Sequence, residues 1–216
     1  MPRTSLAAAA AEVARRDPAM ALLVERAGPV RLRPPRDPDP FVELSQAIAY
    51  QQLAGRAAGA IWSRVSALFD GAMTPERVLA TPDAEFRRAG FSAGKTASVK
   101  DLAAKILDGT VPLERLRRMP DDQVVAMLSA VRGIGRWTSE MFLIFTLRRL
   151  DVWPVGDYGV RSGWAIAHGL PETPSPRELE AEGELFRPYR TVAAWYCWAA
   201  VHLAREQEPG PPPLRA

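Results

Sequence analysis

Between Leu128 and Phe145 the chain reads LSAVRGIGRWTSEMFLIF, and no other stretch restricts the fold as much. Apolar residues at helical spacing lie on both sides of a Gly-Ile-Gly triplet at 133–135. Glycine removes the side chain that would hold the backbone off a neighbouring surface, and it tolerates the dihedrals of a tight reversal. The pattern predicts a helix ending near Val131, a hairpin at 133–135 and a second helix from about Arg136 to Leu147. Such a turn aims the unpaired N–H groups of the second helix outward, which suits an anion such as phosphate. Arg132 and Arg136 flank the turn, so Arg132, Gly133, Ile134, Gly135 and Arg136 form a candidate phosphate grip. The same residues also fit an ordinary pair of helices joined by a glycine turn.

The rest of the chain is patterned for helices as well. Leu44 and Ile48 share a face, and Ile61, Trp62, Val65, Leu68 and Phe69 follow the i, i+3, i+4 rule. TPERVLA (74–80) and TPDAEFRRAG (81–90) each offer Thr as N-cap and Pro at the first helical position. Gly90 and Gly94 punctuate the approach to a helix at Lys95–Leu107, and MPDDQVVAMLSAV (119–131) carries acids in its first turn. A helix is expected at about 4–26, followed by the proline-rich RAGPVRLRPPRDPDP (26–40), which does not favour regular structure. No stretch alternates convincingly with period two, so the expected class is all-α. The 216 residues suit a single domain, about 1–208, built of two helical subdomains. The middle helices, about 41–148, form one, and about 1–25 with 157–207 form the other. Residues 209–216, PGPPPLRA, are expected to be a disordered tail.

Composition excludes several kinds of chemistry. Cys197 is the only cysteine, which rules out internal disulfides, four-cysteine zinc sites and four-cysteine iron–sulfur clusters. His168 and His202 are too few and too far apart to suggest a metal site, and His202, inside the apolar run 191–204, is expected to be a packed core histidine. That run has 14 residues, too few to cross a bilayer. Glu12 and Arg15–Arg16 break the alanine-rich start, so no secretory leader is read and a cytoplasmic location is expected. Net charge is +3, and 25 of the 28 basic residues are arginine. Arginine forks match phosphates, so a polyanionic partner fits, although a GC-rich genome writes the same Ala/Arg/Pro bias.

One carboxylate stands out. PVGDYGVRSG (154–163) places Asp157 22 residues after Gly135, the length of one helix and a short loop. Locally, Asp157 reads as a helix N-cap. Five ordered blocks change its meaning: FVELSQAIAYQQLAGRAA (41–58), AGFSAGKTASVKDLA (89–103), VRGIGRWTSEMF (131–142), WPVGDYGVRSG (153–163) and FRPYRTVAAWYCW (186–198). Together they resemble the helix-hairpin-helix DNA glycosylase superfamily, in particular its alkylation-repair branch, 3-methyladenine DNA glycosylase II. The resemblance covers most of 40–205.

The resemblance implies two helical subdomains flanking a base-binding cleft, and Asp157 as the catalytic carboxylate beside C1′ of a flipped nucleotide. Loss of the base leaves positive charge on the sugar, which a fixed anion stabilises while it orients the attacking water. Relatives that also cut the strand carry a lysine two residues after the second hairpin glycine. Here that residue is Trp137, so a monofunctional hydrolase is implied. Trp137, Met141 and Tyr189 correspond to base-pocket positions, and aromatic faces suit electron-poor or cationic alkylated purines. Trp137, Met141 and Phe145, spaced by four, equally fit a core stripe, and Trp195 and Trp198 are expected in the core. Gln52 or Leu53 corresponds to the side chain that enters the minor groove in place of the flipped base. No cofactor is implied beyond a monovalent cation at the hairpin carbonyls. The implied partner is duplex DNA carrying alkylated bases, bound by a monomer with no membrane involved. A non-catalytic DNA-binding module, a same-fold glycosylase for other damaged bases and a helical interaction scaffold also remain compatible with these residues.

Overall fold

The structure, a computed structural model, describes residues 5–32, 39–53 and 55–207. The tail expected at 209–216 lies outside them, as does part of the proline-rich stretch, at 33–38. All regular structure among the described residues is helical, as the lack of period-two alternation predicts. The chain divides into two compact units, Met1–Leu32 with Arg149–Ala216, and Arg33–Arg148.

In the first unit, α1 (Leu6–Arg16) and α2 (Pro18–Ala27) replace the single N-terminal helix expected at about 4–26. Pro18 cannot donate into the preceding turn, and Asp17 turns extended to cap α2, accepting from the Met20 N–H at 3.0 Å. α10 (Tyr158–His168) and α12 (Arg190–Gln207) form the centre of this unit, with α11 (Pro176–Glu182) and a 3-10 turn at Gly183–Phe186 beside them. The two central helices meet at their backbones: a Cβ added to Gly163 would collide with the main chain of Cys197. α12 buries Val192, Ala193, Tyr196, Cys197 and Ala200. His202 faces away from that stripe and is exposed, contrary to the core position expected. The apolar run around it covers the whole helix circumference, so composition alone could not assign its face.

The second unit holds α3 (Pro40–Tyr50), α4 (Gly55–Ala67), α5 (Pro75–Ala80), α6 (Asp83–Ala89), α7 (Ala93–Leu107), α8 (Asp121–Ser129) and α9 (Arg136–Phe145), with a 3-10 turn at Leu116–Arg118. Thr74 caps α5 as expected, but α6 starts two residues after Thr81, with Pro82 as its N-cap residue. Thr81 instead closes α5, its hydroxyl donating to the Arg77 carbonyl at 2.8 Å. Phe41, Leu44, Ile48, Val65, Phe69, Phe86, Val99 and Leu128 fill the core of this unit. Among the described residues no helix is long and apolar enough to cross a membrane.

Candidate active site

Asp157 ends a short extended segment that is fastened at each step. Arg190, in the first turn of α12, grips Asp151 through Nε–Oδ1 (2.7 Å) and Nη2–Oδ2 (3.1 Å) and also donates to its carbonyl. The neighbouring Thr191 hydroxyl donates to the Arg149 carbonyl and accepts from the Val152 N–H, at 2.9 and 3.0 Å. The Trp153 indole then donates to the Leu179 carbonyl at 2.8 Å. The chain turns through an Asp157 N–H to Pro154 carbonyl bond of 2.9 Å.

At the end of this path Asp157 is buried and caps α10, its Oδ1 accepting from the Val160 N–H at 2.9 Å. The same oxygen accepts from Trp198 Nε1, also at 2.9 Å. Two donors on one oxygen fix the plane of the carboxylate. Gly159 makes the second contact possible. A Cβ there would sit 3.0 Å from Asp157 Oδ1 and 3.0 Å from Trp198 Cδ1. Trp198 was expected in the core but is only half-buried and binds the carboxylate. Its apolar neighbours hid it; the signal was its place in the FRPYRTVAAWYCW block. Trp195 is half-buried too, packed edge-on against Tyr196. Tyr189 stands half-buried at the head of α12, about 13 Å of helix rise before Trp198, and no hydrogen bond joins it to Asp157 among the described residues.

The second unit carries the hairpin. α8 ends at Ser129, and the turn closes with the Ile134 N–H donating to the Val131 carbonyl at 3.1 Å. Gly133 has φ +75°, a left-handed conformation that favours glycine, and its Cα faces Ser98 so closely that a Cβ would lie 2.5 Å from the hydroxyl. Gly135 precedes α9 with no side chain capping that end, so the first N–H groups of α9 face outward. The Arg132 N–H donates to Asp101 Oδ2 at 2.7 Å, and Lys105 pairs with Oδ1. Burial opposes the charged form of Asp101, but the Arg132 N–H and the Lys105 ammonium outweigh it and hold the carboxyl below its ordinary range. Arg136 is largely exposed and pairs through Nε with the buried Glu140 at 2.8 Å. The hairpin carbonyls of Val131, Gly133 and Gly135 already meet donors from Ile134, Gln51 and Ser139, and a cation there would share the turn with them.

Trp137, Met141 and Phe145 do not form a core stripe. Trp137 is 48% exposed and Phe145 37%. Met141 and Phe145 line a cavity of about 220 Å³ between α3 and α9, whose other walls include Ala47, Tyr50, Phe142, Glu43 and Gln46. Trp137, one turn earlier, is not part of its lining. Gln52 and Leu53, after α3, are both exposed.

An all-helical fold with a glycine hairpin opening onto a helix N-terminus, and a buried aspartate capping a later helix, defines a class of DNA-repair domain. The family of HhH-GPD superfamily base excision DNA repair proteins matches residues 46–188, and the chain belongs to it. It is 37% identical over 174 residues to DNA-3-methyladenine glycosylase 1 of Schizosaccharomyces pombe, covering 79% of this chain and 76% of that one. Among solved structures, the 3-methyladenine DNA glycosylase of the same yeast in complex with abasic DNA is similar with a TM-score of 0.79 at 36% identity, covering 91% of this chain and 97% of that one. The DNA-3-methyladenine glycosidase of Bacillus halodurans is similar with a TM-score of 0.85 at 34% identity, covering 92% and 91%.

Proposed function

We propose that this protein is a monofunctional DNA glycosylase that hydrolyses the N-glycosidic bond of alkylated purines, of the 3-methyladenine and 7-methylguanine type, in duplex DNA. The observation that carries the proposal is the buried Asp157, held by Val160 N–H and Trp198 Nε1 on one oxygen. A carboxylate so fixed is oriented before substrate arrives. It stabilises the oxocarbenium-like sugar as the base departs, and it aligns or deprotonates the water that attacks C1′. An alkylated purine carries positive charge and leaves as a neutral base, so a single carboxylate is enough.

The other roles follow the same division. Gly133, Ile134 and Gly135, with Arg132 and Arg136, grip the phosphate backbone without reading sequence. Trp137 and Met141 contact the extrahelical base, and Gln52 or Leu53 fills the space that it leaves. Trp137 stands where a strand-cutting relative would need an amine, so the product is an intact strand with an abasic site. The protein works as a monomer in the cytoplasm.

The test is single-turnover base release from duplexes containing 3-methyladenine or 7-methylguanine, for the wild type and Asp157→Asn. The wild type is expected to release base, to cut the strand only after alkali and to leave no borohydride-trapped adduct. Asp157→Asn is expected to bind DNA and release base at least 100-fold more slowly, as removal of a main electrostatic group commonly costs about 10²–10³ in rate. Normal release by the variant would refute the role given to Asp157. DNA binding without release by the wild type would refute the glycosylase assignment for these bases.

A further inference from the structure

The sequence offers two adjacent glutamines, Gln51 and Gln52, and only the second is a candidate to enter the duplex. Gln51 ends α3, its N–H donating to the Ile48 carbonyl at 3.4 Å. Its side chain spans 82 residues of sequence: Nε2 donates to the Gly133 carbonyl at 2.9 Å and approaches Thr138 Oγ1 at 3.4 Å. One amide thus touches both the hairpin and the first turn of α9. The next residue, Gln52, is exposed at φ +57°, a conformation that non-glycine residues seldom adopt and that persists where its surroundings hold it.

A single face of α7 braces the same two segments. Lys95, Ser98 and Asp101 are spaced by three along it. Lys95 Nζ donates to the Ala49 carbonyl in the last turn of α3 at 2.7 Å. Ser98 packs against Gly133, and Asp101 receives the Arg132 N–H. The end of α3 and the hairpin are each fastened to α7, and Gln51 fastens them to one another.

We infer that Gln51 is a positioning residue that locks the Gln52–Leu53 turn to the phosphate-gripping hairpin, so that the side chain entering the duplex and the turn holding its backbone move as one body. The inference rests on the wedge and grip roles proposed above. A wedge can hold two base pairs apart only if the resistance of the stack is met by something attached to the backbone of the DNA. Among the described residues the Gln51 amide bridges the two directly. Thr138 is not essential to the lock, since its 3.4 Å contact is the longer of the two. Losing the bridge leaves the hairpin intact but lets the wedge turn recoil, which lowers wedge occupancy by roughly the five- to tenfold that one net hydrogen bond represents.

The discriminating variant is Gln51→Met, which keeps length and neutrality and removes the donor. Two readouts are taken, with thermal melting as the check on folding. The first needs no chemistry: a duplex with 2-aminopurine beside a tetrahydrofuran abasic analogue reports wedge entry by fluorescence. Gln51→Met is expected to bind it with wild-type affinity and salt dependence but to give a fluorescence change reduced about fivefold. The second is single-turnover release of an alkylated base from a paired duplex and from a one-nucleotide bulge, where no pair needs to be opened. Release from the duplex is expected to slow about five- to tenfold and release from the bulge to stay within twofold of wild type. Gln51→Lys, which restores a donor, is expected to recover part of the duplex rate. Equal slowing on duplex and bulge, or a fluorescence change equal to wild type, would overturn the inference. Should the wild type release no base from either substrate, the glycosylase assignment falls while the fluorescence comparison still decides the lock.

Discussion

Trp198 Nε1 lies 2.9 Å from Asp157 Oδ1, bringing the middle of α12 onto the carboxylate that opens α10. Under the role proposed for Asp157, the bond makes an aromatic residue of the last helix a positioning residue for that carboxylate. Trp198→Phe keeps the ring and deletes the donor. A hydrogen bond to a charged group contributes about 1.5–3 kcal/mol, and Val160 N–H still holds the oxygen, so base release is expected to slow about tenfold. DNA affinity should not change. Single-turnover rates beside equilibrium binding check this, and an unaltered rate would mean that the Trp198 donor is not needed to fix the carboxylate.

Gly159 and Gly163, four apart on α10, separate function from folding. At Gly159 the atoms nearest an added methyl belong to the Asp157 and Trp198 side chains, whereas at Gly163 it strikes the Cys197 backbone. Gly159→Ala is expected to disturb the pair and slow catalysis while stability stays within about 1 kcal/mol, because alanine is the better helix former. Gly163→Ala must push two helices apart and is expected to cost about 3 kcal/mol or more, at the upper end of overpacking effects. Chemical denaturation of both variants, alongside their rates, tests the contrast.

The two hairpin arginines are expected to fail differently. Arg132 is exposed and held by its N–H to Asp101, so Arg132→Ala should leave the fold alone and reduce the slope of log K against log salt by about 0.9, the signature of one phosphate contact. Arg136 also neutralises Glu140, whose side chain is only 4% exposed. Arg136→Ala should weaken DNA binding and lower stability by about 1–2 kcal/mol as well. Salt titrations with thermal melts would show it; equal melting temperatures for the two variants would exclude a structural role for the Arg136–Glu140 pair.

Asp17 ties stability to acid pH. Burial works to raise its carboxyl, but the bonds from His168 and from the Met20 N–H prevail and hold it below the ordinary 3.8. A depressed carboxyl stabilises the fold above its unfolded pKa, and that contribution disappears as pH falls below about 4 and through its folded value. Asp17→Asn keeps an N-cap side chain and removes the charge. Its melting temperature is expected to vary less than that of wild type between pH 5 and pH 2, which scanning calorimetry across that range measures. Parallel curves would assign acid sensitivity to other carboxylates.

What could be read from the chain without coordinates depended on how local the cause was. The hairpin and the helix behind it were legible because Gly-Ile-Gly acts on its own neighbourhood, and Asp157 as an N-cap was legible for the same reason. The break at Asp17–Pro18 was legible in principle, since proline there ends one helix and starts the next, but the alanine-rich periodicity around it masked the stop. Trp198 and Gln51 were not legible. Each acquires its meaning from a partner 41 or 82 residues away, and the hydropathy pattern around them marks neither. His202 and Thr81 depart from what the pattern predicts because an all-apolar run has no face and because Thr-Pro can close one helix as readily as it opens another.

The close crossing of α10 and α12 also settles the reactivity of the chain's one thiol. Cys197 is completely buried, and burial, with the Asp17 charge added, pushes its thiol well above the ordinary cysteine range. The electrophiles that methylate purines also attack thiolates, and a protonated, inaccessible sulfur offers them no nucleophile. A protein that works where DNA has been alkylated is thereby spared, at this position, the modification it is proposed to repair.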